Sequence, residues 1–371
     1  MTLKETLLSE NERSRCLRFE TLNDEGVSVS HATVTFCDSR FAGSWVRTML
    51  VGGVGTDVLY RRMGLVRGLF GHLFSRIEEF GAAVSLLHPF SFSYYRKFGY
   101  ERVSDTVVAR FPITALDFVP RYAGAECMKA EDLPAVLALF DACTAGRNVT
   151  LRRTDGGCFP CAPDGKRRTY LFRDERGDCC GYAVIEPEKH FDGINHMVSD
   201  DLHVYELLYT DAAALKKILG FLRMFEGELT TVKLHDIGML PEVDEVLRHY
   251  MHTTYEIHPD IMARVLDTAA LLRANAYPDD PGRFVLRVED ALPSVGGTFA
   301  VEYGKGQCCV ARTDASADLT VPAPALARLL YGCAAYTPAL ASYMDGVSFN
   351  TPAADFFRAF PKRPGGVFNH F

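Results

Sequence analysis

A chain of 371 residues is too long for one ordinary hydrophobic core, and 48% hydrophobic with 23% charged residues is the balance of a chain that folds throughout. A formal net charge of −7 supplies no excess of cations for phosphate backbones, so nucleic acid is not the expected partner and a cationic one fits better. The opening MTLKETLLSENERSR has no apolar signal core and no apolar run reaches spanning length, which points to a cytoplasmic protein without a membrane span.

Residues 15–56 alternate strand and turn: RCLRFETL, a turn at 23–26, VSVSHATVTF, then WVRTMLVGGVGT, an antiparallel meander. Residues 62–80 read as a helix with Leu65, Leu69, Leu73 and Ile77 at every fourth position and Gly81 as its stop. AAVSLLHP is a buried strand; after FSFSYYRKFGY comes another, VSDTVVARF, and 122–126 reads as a linker. The order of elements then repeats: helix AEDLPAVLALFDACT, hairpin RTYLFRDERGDCCGYAVIEPE, strand LHVYELLYT, helix AALKKILGFLRMFEGE and strand TTVKLHDIG, as in a duplicated fold. From Ile257 the stretch IMARVLDTAALLRANAYP reads as an amphipathic helix with Val265, Ala269 and Leu272 on one side. FVLRVED, TFAVEYG, QCCVART and ADLTVPAPALARLLYG follow as a small sheet with a helix behind it. The expected class is α+β with mixed sheets, divided at 1–121, 122–256 and 257–371.

Eleven cysteines in a long chain with no mark of secretion are expected to be reduced thiols. Cys158 and Cys161 form a CxxC with Cys179 and Cys180 downstream, but a second CxxC is missing. Gly156, Gly157 and Pro160 make the stretch a turn, so no metal is expected. His88 and His235 lie in apolar stretches and read as hydrogen-bonded core or loop histidines.

The most informative stretch is GGVGTDVLYRRMGLVRGLF. A strand ending in Val54, Gly55 and Thr56 runs through a loop holding Arg61, Arg62, Met63 and Gly64 into a helix that opens on Leu65 and Val66. A helix start offers unpaired N–H groups and the positive end of its dipole, and a glycine lets the backbone approach a pyrophosphate closely. The alternative is a solvated basic patch with a glycine in it. The corresponding stretch of the second segment, 209–213, has neither arginine nor glycine.

This stretch resembles the coenzyme A loop of the GCN5-related N-acetyltransferases: Arg or Gln, two residues, Gly, one residue, then Gly or Ala. Arg61 and Gly64 match; Val66 departs, at a position that serves through its backbone N–H. The strand at Val54, Gly55 and Thr56 resembles that family's splayed strand, which pairs with the pantetheine arm, and its glycines suit a bulge. More narrowly, LHPFSFSYYRKFGYERV is similar to the matching stretch of the Eis-like (enhanced intracellular survival) acetyltransferases, which join two GNAT-type domains to a sterol-carrier-like one. VLDTAALL, RFVLRVED and TDASADLTVPAPALARLLYG resemble the third domain in content and order.

The resemblance implies acetyl-CoA as cofactor and a primary amine as acceptor, on a polyamine, an aminoglycoside or a lysine. It makes Tyr95 the acid that protonates the departing thiolate; Tyr94 and Tyr100 read by themselves as core or interface aromatics. It makes the terminal carboxylate of Phe371 the base; Gly365 and Gly366 would let the tail turn inward, with Phe368 and Phe371 as anchors. It further implies a ring of six subunits. Family members carry a strand and one or two helices ahead of the meander where this chain has only residues 1–14, so a truncated acceptor side is expected. A degenerate acyltransferase scaffold that binds a lipid or a partner is the competing expectation.

Overall fold

The computed structural model describes residues 1–154, 159–160, 165–191, 197–235, 241–247, 250–351 and 353–366. The chain begins with strands β1 (Thr2–Glu10), β2 (Arg15–Leu22), β3 (Ser28–Phe41) and β4 (Ser44–Thr56). Helices α1 (Leu65–Ser75) and α2 (Ile77–Phe80), strand β5 (Val84–Leu87), helix α3 (Phe92–Arg96) and strand β6 (Glu101–Arg102) follow. Next come β7 (Asp105–Pro112), β8 (Glu126–Cys127), α4 (Leu133–Thr144), β9 (Arg168–Arg173), β10 (Cys179–Phe191), β11 (Met197–Tyr209), α5 (Ala212–Leu222), β12 (Thr231–Leu234), α6 (Pro241–Val246) and β13 (Thr254–Pro259). The last stretch holds β14 (Met262–Val265), α7 (Thr268–Ala274), β15 (Gly282–Glu289), β16 (Gly297–Gly304), β17 (Gln307–Arg312), β18 (Leu319–Pro322), α8 (Ala323–Tyr331), α9 (Pro338–Ala341), β19 (Ser348–Phe349) and α10 (Ala354–Ala359).

Three mixed sheets result, ordered β1-β2-β3-β4-β5-β14-β6, β13-β7-β12-β11-β10-β9-β8 and β17-β16-β15-β18-β19, which is the α+β class expected. The first and third sheets belong to one compact unit (Met1–Ser104, Gly146–Arg152, Asp260–Phe371); the second belongs to another (Asp105–Ala145, Arg153–Pro259).

Three elements differ from the sequence reading. VSDTVVARF, read as a strand ahead of the 122–126 linker, forms β7 and pairs antiparallel with β12 and β13 in the second sheet. IMARVLDTAALL is not one helix: Met262–Val265 is a strand between β5 and β6, and the helix starts only after Asp267, whose carboxylate accepts the N–H of Ala270 at 2.9 Å. A strand buried on both faces is a continuous apolar run, which periodicity cannot separate from a buried helix. Finally, β1 is an ordered edge strand paired only with β2 and almost wholly exposed, so it carries none of the alternation that marks a half-buried strand.

In the first unit, Val66, Leu69, Phe70 and Leu73 of α1 pack on Phe19, Val34, Phe36 and Met49 of the meander. Each such side chain, fully buried, contributes roughly 1.5–3 kcal/mol. Arg76 leaves helical geometry (φ −111°, ψ 14°) and splits the expected 62–80 helix, while Gly81 ends it at φ 63°. The third sheet buries Phe284, Leu286, Phe299 and Val301 against Leu326 and Leu330 of α8. In the second unit the core holds a charge: both guanidinium Nη atoms of Arg153 donate to the Glu206 carboxylate at 2.7 Å, and the Tyr182 hydroxyl donates to that same group. The guanidinium also faces the rings of Phe140 and Phe159. A buried charge paired and hydrogen-bonded in this way avoids the desolvation penalty of a lone one.

Candidate active site

β4 pairs with β3 along its length but with β5 only from Thr48 to Leu50. Beyond Leu50 the two parallel strands part, and the last residues of β4 have no strand partner on that side among the described residues. The β3–β4 register moves from Thr33↔Gly52 to His31↔Gly55, placing one extra residue on β4. Gly53 takes φ +52° inside that bulge, a left-handed conformation that costs glycine nothing. The glycine-rich strand thus opens a slot between β4 and β5, as the sequence suggested.

From Thr56 the chain enters a short turn in which the Asp57 carboxylate accepts the N–H of Leu59 at 2.9 Å. Asn23, from the β2–β3 turn, donates to the Tyr60 hydroxyl at 3.2 Å and ties that turn to the loop. Arg62 (φ +64°) and Gly64 (φ +79°) both take left-handed backbone, which is strained for the arginine and free for the glycine. Gly64 is the N-cap of α1 and no side chain caps the helix; the intrahelical ladder starts with Gly68 N–H to Gly64 C=O at 3.0 Å, and the first turn holds no acid. The N–H groups of Leu65, Val66 and Arg67 are therefore left for an anion.

These features meet in one cleft of about 620 Å³. One wall is Val54, Gly55 and Thr56, and the floor is Arg61, Arg62, Gly64, Leu65 and Val66, all of them residues singled out in the sequence. Met63 points away, 58% exposed, and is not on the wall. Tyr60, Arg67, Phe90, Tyr94, Lys97 and Phe98 complete the lining. Arg67 and Lys97 were not anticipated; with Arg61 and Arg62 they give the cleft four cations and no carboxylate. The signal for Arg67 was its place in the first helical turn, whereas Lys97 arrives only through the tertiary fold. A pyrophosphate fits this set: free N–H groups at an uncapped helix start, ringed by positive charge.

Ser91 caps α3 by accepting the N–H of Tyr94 at 3.3 Å. Successive residues of a helix point about 100° apart, so Tyr94 and Tyr95 face different surroundings. Tyr94 packs against the core of the first unit, in keeping with its reading as a core or interface aromatic, and it also lines the cleft. Tyr95 is 3% exposed and packs behind the wall, against Phe90, Tyr94, Phe70 and Tyr100. Burial, with Tyr94 adding to it, pushes the phenol up to about 12, so it carries its proton at neutral pH. Tyr100 is core, as expected: fully buried, its hydroxyl 2.6 Å from Ser85 Oγ, which also donates to the Met49 carbonyl.

Just past β5, His88 Nδ1 lies 2.9 Å from an Asp260 carboxylate oxygen, and His235 Nε2 lies 3.1 Å from His203 Nδ1, so both histidines are hydrogen-bonded as read. Phe371, Phe368, Cys158 and Cys161 lie outside the described residues. The tail is held as far as Gly366: Asn148 N–H donates to the Pro364 carbonyl, Gly366 N–H donates to the Asn148 carbonyl, and Thr150 Oγ1 donates to the Gly366 carbonyl.

At the matching helix start in the second unit, α5, the Asp211 carboxylate accepts the N–H of Ala214 at 2.8 Å. That hydrogen bond holds the carboxyl below its usual range. A side-chain anion thus occupies the place where α1 is open, and a phosphate would meet a like charge there.

Residues 6–103, which build this cleft, match the family model described as an acetyltransferase (GNAT) domain. Solved structures share the fold over nearly the whole chain. A GCN5-related N-acetyltransferase from Anabaena variabilis ATCC 29413 is 18% identical with a TM-score of 0.81, covering 97% of this chain and 90% of its own. A conserved protein of unknown function from Enterococcus faecalis V583, described as a probable N-acyltransferase, is 17% identical with a TM-score of 0.79 over 97% and 90%. Eis1 from Mycobacterium abscessus is 19% identical with a TM-score of 0.74 over 98% and 92%. None of the curated proteins matches the chain. The first two sheets fit two acetyltransferase folds in tandem. No helix among the described residues is long and apolar enough to cross a membrane.

Proposed function

We propose that this protein is an N-acetyltransferase of the Eis-like kind, moving an acetyl group from acetyl-CoA to a primary amine of a polyamine, an aminoglycoside or a lysine. In this reading 1–121 is the catalytic domain, 122–256 a second acetyltransferase fold without a cofactor loop, and 257–371 a sterol-carrier-like domain, assembled as a cytoplasmic homohexamer. The observation that carries the reading is the uncapped start of α1, whose free N–H groups face a cleft with four cations and no acid. The likeness to Eis1 over nearly the full chain supports the narrower assignment.

Arg61, Arg62, Arg67, Lys97 and the N–H groups of Leu65, Val66 and Arg67 would hold the cofactor's phosphates, and the parted edge of β4 would hold its amide arm. When bound, acetyl-CoA supplies an activated acyl thioester to the amine. Tyr95 keeps its proton at neutral pH and, as general acid, would give it to the leaving sulfur. The Phe371 carboxylate takes the proton of the amine. Tyr94 is a second reading for the donor, because it lines the cleft beside Tyr95.

Thermal shift with acetyl-CoA, followed by thiol release on spermidine, kanamycin and a lysine peptide, tests the function. Stabilisation with turnover on any of the three is expected. Tyr95→Phe should lower kcat by roughly 10²–10⁴-fold with cofactor binding kept. The same loss from Tyr94→Phe instead would move the donor to Tyr94. No stabilisation by any acyl-CoA would overturn the assignment and leave a binding scaffold.

A further inference from the structure

We infer that Arg264 is a positioning residue for the catalytic turn: its buried ion pair with Asp290 fixes the backbone that carries Tyr95, so the third sheet sets the geometry of proton donation. The inference rests on the reading of Tyr95 as the proton donor.

Arg264 lies on β14 directly across from Ser85 on β5. Its Nη1 is 2.6 Å from Asp290 Oδ2 and its Nη2 donates to Asp290 Oδ1 at 2.7 Å, with both side chains under a tenth exposed. Asp290 follows β15 and is itself fixed, its Oδ1 also accepting the N–H of Leu292 at 2.9 Å. A planar guanidinium held by two parallel bonds has little freedom left.

That guanidinium lies on Gly99. A β-carbon built on Gly99 would stand 2.3 Å from Arg264 Nη1 and 2.6 Å from Cζ, and Gly99 has φ +83°. Gly99 is the corner of the turn closing α3: its N–H donates to the Arg96 carbonyl, and the Tyr95 carbonyl accepts the N–H groups of both Phe98 and Tyr100. Tyr100, the next residue, is clamped by its hydroxyl to Ser85, the cross-strand partner of Arg264. Two facing residues of neighbouring strands therefore hold two successive residues of the turn, and the Tyr95 carbonyl is part of what they hold.

A buried ion pair is a poor device for stability alone, since well-packed apolar side chains often replace it at no loss. It is a good device for fixing a backbone corner in one place. A phenol displaced by about 1 Å from a reacting atom can cost on the order of 10²-fold in rate.

The test uses the full chain, acetyl-CoA, and whichever of spermidine, kanamycin or a lysine peptide turns over fastest. Arg264→Met/Asp290→Leu removes both charges and keeps the core filled. The expected result is a folded protein whose acetyl-CoA thermal shift and KM are unchanged and whose kcat falls on the order of tenfold or more. Combined with Tyr95→Phe, the pair should cost little beyond Tyr95→Phe alone, because both act through one hydroxyl. A paired variant with the parent kcat overturns the inference, as does an equal kcat loss with and without the Tyr95 hydroxyl. If Tyr95→Phe keeps full kcat, it is the donor reading that has failed and the inference falls with it. Should the paired variant not fold, Asp290→Asn, which keeps the size and loses the charge, carries the same comparison.

Discussion

The imidazole of His31 covers Gly55 so closely that a β-carbon on Gly55 would stand 2.8 Å from its Cε1 and 2.9 Å from its Nε2. The two residues are cross-strand partners at the bulge where β4 turns into the wall of the cleft. Glycine at 55 leaves room for that ring against the strand.

Gly55→Ala should therefore push His31 aside, at about 1–3 kcal/mol of overpacking, and distort the cleft wall. A lower Tm and several-fold weaker acetyl-CoA binding are expected by thermal shift and titration calorimetry. His31→Ala/Gly55→Ala should recover most of the Tm, because the clash partner is gone. Recovery absent from the double variant would mean that the backbone at 55, not the ring, sets the requirement.

Gly64 and Gly68 sit one helical turn apart and should respond in opposite directions. Gly64 holds φ +79° at the helix start, so Gly64→Ala should cost about 1–2 kcal/mol of left-handed strain and weaken acetyl-CoA. Gly68 lies inside α1 with nothing within 4 Å of where a β-carbon would go. Gly68→Ala should stabilise by about 0.5–1 kcal/mol through helix propensity and leave binding unchanged. Equal effects on Tm would show that the loop, not the helix, governs both.

His235 gives the second unit a pH dependence. Burial first, and then the neighbouring His203, bring its imidazole down from 6.5 to about 4, so the fold keeps it neutral. As pH falls below 6.5 the unfolded chain binds the proton first; stability is fully present above that value and is lost progressively toward about 4. His235→Phe keeps the stack with Tyr205, whose ring lies 4.7 Å away, and removes the titration. Its Tm should fall less steeply over that window than the parent's, in which His31 is depressed in the same direction. Parallel slopes would exclude His235 as the cause.

Much of the first sheet and its site could be read locally. The 23–26 turn is legible because Asn23 closes it with its own side chain, accepting the N–H groups of Glu25 and Val27. The apolar stripe of α1, the glycine bulge of β4 and the open helix start at Gly64 are legible because each depends on neighbours in sequence. Tyr95 was singled out through the similarity of its stretch, which spacing alone would not have supplied.

Tertiary structure decided the rest. No local pattern says that β7 joins the second sheet or that β14 enters the first, because strand partners are chosen by hydrogen bonds between distant segments. No local pattern marks β1, which buries neither face. The side chains that complete the cleft, Tyr94 and Lys97, and the Arg264–Asp290 pair against the turn at Gly99 come together only when those segments meet. Periodicity records which face of an element avoids water; it carries no information about which distant element covers that face.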